Sequence, residues 1–197
     1  MLDLNDAKEE STLSNNKYQE VGIWDNIKVS TVISGKSFSK QTPFIRIVTE
    51  GVNGEVGESG DMYLNNDLKE GSTTTAWSIT ARKLVNFIVA VTGKTEEQAK
   101  ASCIAIDGDD LAKKLSTLLV GKTFRGVFYG KEIQGKEGKN NWVKAYFAVS
   151  KSNYAAESMK VAKSASKLRF DETKNIERLP VADTTMASSN GSTSPWN

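Results

Sequence analysis

Trp142-Val143-Lys144-Ala145-Tyr146-Phe147-Ala148-Val149 is the stretch on which the reading of this chain turns. Side chains alternate across a strand, so Val143, Ala145, Phe147 and Val149 make an apolar inner face, and Trp142, Lys144, Tyr146 and Ala148 an outer one. Phe124 to Gln134 repeats the pattern, with Phe124, Gly126 and Phe128 inside and Arg125, Val127, Tyr129 and Lys131 outside. A glycine-lysine loop, Gly135 to Asn141, joins the two runs and carries Lys136 and Lys139. The expected hairpin therefore buries one face and presents rings with polar edges beside cations on the other. Such rings suit nucleobases, since stacking on an aromatic side chain is worth roughly 1–3 kcal/mol whatever the base. Arg125, Lys131, Lys136, Lys139 and Lys144 are the candidate phosphate contacts, and Trp142, Tyr146 and Tyr129 the candidate stacking residues.

Upstream, Ile27 to Ile33 alternates as a strand with Ile27, Val29 and Ile33 on or near one face, and Ser34 to Ser37 reads as a turn. Phe44 to Thr49, begun after Pro43, is a second strand. If Ile45 and Ile47 face the core, Phe44 and Arg46 face out as a base contact and a phosphate contact. Lys28 and Lys36 are further phosphate candidates. Gly51, Gly54, Gly57 and Gly60 punctuate a connection to a third strand near Asp61 to Leu64.

The period then changes. Trp77, Ala81, Leu84, Ile88 and Val91 form a helical stripe, with an N-cap among Thr73 to Thr75 and Gly93 at the C-terminus. Thr95-Glu96-Glu97-Gln98 has the spacing of a capping box. A third helix, capped by Asp107 or Asp109, turns Leu111, Leu115, Leu118 and Leu119 inward and ends at Gly121. The expected fold class is mainly β with a helical insert: an OB-like five-stranded barrel with the helices between strands 3 and 4. An open α+β sheet has the same order of elements. The domain is expected over 21–154, after a flexible acidic arm (1–20) and before a basic extension with helical spacing (155–180) and a disordered tail (181–197).

Histidine is absent from the 197 residues, which removes Ser-His-Asp and Cys-His catalysis and the usual zinc sites. The chain is accordingly expected to be no enzyme and to need no cofactor. Its single cysteine, Cys103, excludes an internal disulfide. No apolar run approaches the roughly 20 residues of a membrane span, and the acidic N-terminus has no secretory-signal core, so a cytoplasmic location is expected. The net charge is only +2, but Gly121 to Phe170 holds eleven basic residues against three acidic ones. That asymmetry points to a polyanionic partner.

The layout resembles the single-stranded DNA-binding proteins of bacteriophages, which are built on an OB fold. The glycine-rich second and third strands carry the likeness, with the helical insert after Tyr63-Leu64-Asn65 and the passage Leu118-Leu119-Val120-Gly121-Lys122-Thr123-Phe124-Arg125-Gly126. It implies coating of exposed single-stranded DNA in replication, recombination or repair, in the host cytoplasm. Many such proteins recruit partners through an acidic tail. Here the tail offers Pro195-Trp196 but, after Pro180, only Asp183 as an acid, so a protein partner would be reached through Trp196. RNA and a homo-oligomer stay open as partners.

Three other motifs carry no chemistry. Gly121-Lys122-Thr123 lacks the upstream glycine of a phosphate-binding loop, Ser116 standing in its place. Asp107-Gly108-Asp109-Asp110 lacks calcium-loop spacing and is explained by helix capping. The glycines 51 to 60 precede no helix and read as loop. The alternative from another class is a protein-interaction or virion-associated structural module using the same β surface.

Overall fold

The computed structural model describes residues 17–68, 71, 73–135, 140–149, 154–156 and 168–179, with 154–156 described by backbone alone. Lys136 and Lys139, residues 1–16 of the acidic arm, residues 157–167 and 180 of the 155–180 extension and the tail with Trp196 lie outside the described residues.

Among the described residues eight strands form one sheet: β1 (Gly22–Lys36), β2 (Pro43–Glu50), β3 (Val56–Glu58), β4 (Met62–Tyr63), β5 (Thr123–Ile133), β6 (Trp142–Phe147), β7 (Tyr154–Ala156) and β8 (Ile176–Glu177). The main path runs β3-β2-β1-β5-β6; β4 pairs with β2, and β7 and β8 with β5. Pairing is antiparallel except between β8 and β5. The sheet is open between β3 and β6, where one isolated parallel bridge, Ser59 with Phe147, spans the gap.

Three helices, α1 (Ala76–Thr92), α2 (Glu96–Ser102) and α3 (Gly108–Leu119), stand between β4 and β5, and the short α4 (Glu172–Asn175) precedes β8. Each helix start is capped by a side-chain oxygen. Thr75 Oγ1 accepts from Ser78 N at 3.1 Å, Thr95 and Gln98 complete a capping box, and Asp107 Oδ1 accepts from Asp110 N at 2.8 Å. Gly93 closes α1 in the left-handed region at φ 71°.

The core lies between the inner sheet face and the helices. Ile27, Val29, Ile45 and Ile47 meet Leu84 and Ile88 of α1 and Leu111, Leu115 and Leu119 of α3, all buried. Four phenylalanines fill the centre: Phe147 has its ring centroid 4.9 Å from Phe124, 5.7 Å from Phe87 and 5.8 Å from Phe128. Burying one such side chain is worth roughly 1.5–3 kcal/mol.

Two expectations are corrected. Ile33 is exposed and Val32 buried, because a β-bulge between Val29 and Thr31 places two steps of β1 against one of β2 and flips the alternation beyond it. The third strand lies at Val56–Glu58, and Met62–Tyr63 is a separate short strand on β2. Gly57 hides β3 from the sequence: a Cβ there would meet Phe128 Cε1 at 2.6 Å, so only glycine lets β3 approach the core ring.

Candidate nucleic-acid interface

The outer faces of β5 and β6 bring four of the expected residues together. Tyr129 and Tyr146 are cross-strand partners, with ring centroids 6.1 Å apart and a 32° tilt. Two pairs further along, Lys131 faces Lys144, and Trp142, 53% exposed, stands opposite Ile133 at the end of the ladder. Two lysines directly opposite repel each other. Each is relieved by a carboxylate from outside the hairpin: Lys131 Nζ lies 3.1 Å from Glu177 of β8, and Lys144 Nζ 3.5 Å from Glu58 of β3.

A second aromatic group lies across the open seam, on β2 and β4. Phe44 and Tyr63 are register partners whose rings meet edge to face at 6.5 Å, and the Arg46 guanidinium sits 5.3 Å over the Phe44 ring. Gly35 makes room for this, since a Cβ there would lie 2.6 Å from Phe44 Cζ. Tyr63 is held in turn by α1, whose Thr80 hydroxyl donates to the Tyr63 carbonyl at 2.7 Å. Arg46 pairs with Asp61 at 2.7 Å and with Glu58 at 3.4 Å. Glu58 Oε2 therefore serves both groups, accepting from Arg46 on one side and Lys144 on the other.

The other candidates are not gathered here. Lys28 pairs with its register partner Glu50 at 2.6 Å. Arg125 lies 3.2 Å from Asp25, beside the irregularity in β1 where Asn26 takes φ 56°. Lys36 is exposed at the β1–β2 turn. The expected outer face of β5 is also partly covered. Val127 is fully buried with Leu168, and Phe170 packs against this pair along with Tyr129. The segment after residue 167 returns over the sheet because β8 pairs beside Gly130 and Lys131, and Glu132 Oε2 accepts from Leu179 N at 3.0 Å. Val127 thus belongs to a small second core and offers no surface.

Sequence reasoning missed Glu58, Tyr63 and Phe38. Glu58 and Tyr63 had no local signal, since their roles come from strands far apart in sequence. Phe38 had one: in Lys36-Ser37-Phe38-Ser39-Lys40 an aromatic stands in a turn with nothing apolar beside it. It is 99% exposed.

The buried Cys103 thiol is raised to about 11 by desolvation, which keeps it a thiol at neutral pH. Asp107, Asp109 and Asp110 act locally: Asp107 caps α3, Asp109 accepts from the Ser34 hydroxyl, and Asp110 pairs with Lys114 at 2.7 Å. Among the described residues no helix is long and apolar enough to cross a membrane. No protein-family model matches the chain, and no curated protein matches it.

Proposed function

We propose that this chain is a non-catalytic protein that binds single-stranded DNA with little regard to sequence, on the outer face of an OB-type barrel. The barrel reading is supported by the strand order β3-β2-β1-β5-β6, the helices before β5 and the Ser59–Phe147 bridge across the seam. The reading keeps the likeness to bacteriophage single-stranded DNA-binding proteins.

One observation carries the functional reading: the Tyr129–Tyr146 pair, with exposed Trp142 and the facing lysines Lys131 and Lys144, forms a surface of rings and cations in one ladder. Bases stack on the rings while the lysines neutralise phosphate. Phe44, Tyr63 and Arg46 extend the surface across the seam. One observation favours the rival protein-interaction module: Lys28, Arg46, Arg125, Lys131 and Lys144 each already hold a carboxylate.

A fluorescence titration with a labelled single-stranded oligonucleotide, its duplex and the matching RNA, at two salt concentrations, separates the two. Micromolar or tighter binding that prefers the single strand and weakens with salt supports the reading; no binding at low salt removes it. Trp142→Ala should cost roughly 1–3 kcal/mol of binding without changing the salt slope.

A further inference from the structure

A groove of about 610 Å³ opens between the β1–β2 turn and the helical insert. Leu64, Trp77 and Leu111 line its apolar floor, and Ile106, Asp107 and Asp109 stand at its mouth. Ile106 is 94% exposed, and the neighbouring Ile104 is exposed as well. Contiguous apolar surface of this kind marks a contact site more often than chance exposure does. The two carboxylates repel phosphate, so the groove does not suit a nucleic acid. They select an occupant that is apolar at its tip and basic at its flanks.

The chain carries that segment itself. Lys36-Ser37-Phe38-Ser39-Lys40 forms the β1–β2 turn, with Phe38 99% exposed between two exposed lysines that have no ion-pair partner among the described residues. The tip is locked by its own hydrogen bonds. Ser37 N donates to Thr42 O at 2.9 Å, Gln41 N to Ser37 O at 2.9 Å, and Thr42 N to Ser37 Oγ at 3.0 Å. Little ordering entropy is then lost when the ring is buried. Phe38 does not fill the groove of its own molecule, because Lys36 of the same turn already forms part of the rim and the ring touches nothing.

We propose that two copies of this chain pair through a two-fold contact in which each inserts Phe38 into the groove of the other, with Lys36 and Lys40 facing Asp107 and Asp109. Knob and groove adjoin on one surface, as an isologous interface requires, and every contact occurs twice.

The test is sedimentation velocity of the full chain without nucleic acid over a range of concentrations, which keeps it independent of the DNA-binding reading. The wild type should pass from monomer to dimer. Phe38→Ala, at a side chain with no intramolecular contact to lose, should raise the dimer dissociation constant on the order of tenfold or more. Lys36→Glu with Lys40→Glu should do the same, and the wild-type dimer should weaken with salt. A wild type that stays monomeric throughout overturns the proposal and leaves the groove to a foreign basic-aromatic segment. A dimer untouched by Phe38→Ala overturns it equally.

Discussion

Replacing Glu58 with glutamine is the perturbation that most directly tests how the ring-bearing face works. Glu58 Oε2 lies 3.5 Å from Lys144 Nζ and 3.4 Å from Arg46 Nη1, and its side chain is partly open to water. Pairs in such a setting are worth about 0–1 kcal/mol each. Arg46 keeps its closer partner Asp61 at 2.7 Å, so the cation chiefly released is Lys144. A phosphate approaching the wild type must displace the carboxylate; in Glu58→Gln it need not. The gain is up to about 1 kcal/mol, or about fivefold tighter binding at low salt. One more phosphate neutralised should steepen the slope of log K against log salt by about 0.7 for a single strand. The assay is the oligonucleotide titration repeated across a salt series, with urea unfolding as a control that should move by no more than about 1 kcal/mol. Adding Lys144→Ala to Glu58→Gln should cancel both gains. Unchanged or weaker binding by Glu58→Gln, with an unchanged slope, would refute the idea that Glu58 screens this face.

The second ring group has its own test: Tyr63→Ala removes the edge partner of Phe44, and binding should weaken by on the order of 1 kcal/mol with the salt slope unchanged. Phe147→Ala empties the space between Phe87, Phe124 and Phe128, and should cost about 3–5 kcal/mol in urea unfolding. Stability should also fall in acid. Glu55 is held below the ordinary carboxylate value chiefly by the Asn53 side-chain hydrogen bond, Asp110 by that of Lys114, and Asp171 by that of Thr173. A folded-state value below the unfolded one stabilises above the unfolded value and is lost as pH falls through the folded one. Tm should therefore hold near neutral pH and decline below about pH 4. Glu55→Gln should show a shallower decline; a Tm unaffected by acid would contradict these assignments.

What the sequence made legible was whatever depends on near neighbours. Thr75, Gly93, the Thr95–Gln98 box and Asp107 end or start helices through bonds spanning a few residues; Gly93 and the box act as read, while the structure selects Thr75 from the threonine run and Asp107 over Asp109. The alternation of β2 and β6 likewise buries Ile45, Ile47 and Phe147. Ile33 was misplaced because a single bulge reverses parity, and no residue type at Val29 to Thr31 announces one. β3 was missed because its middle residue is chosen for the closeness of Phe128, some seventy positions later in the chain. The covering of Val127 was illegible for the same reason: Leu168 and Phe170 reach it only because β8 pairs beside Gly130.

The charge argument needs the deepest revision. The surplus of eight positive charges over Gly121 to Phe170 suggested a bare basic surface. Yet Arg125, Lys131 and Lys144 face Asp25, Glu177 and Glu58, three acids that all lie outside that stretch. Folding thus carries the acidic remainder of the chain onto its basic part, and net local charge in sequence overstates net local charge in space. For a polyanion the consequence is an exchange: each phosphate contact at these residues replaces an existing ion pair, so its net contribution is small. Of the rings on this ladder, Trp142 is the most exposed. Trp142 stands open at the end of the β5–β6 ladder, and a base stacked on it displaces only water. If the proposed function is right, affinity resides mainly in the aromatic side chains, and the paired carboxylates set how steeply salt acts on the rest.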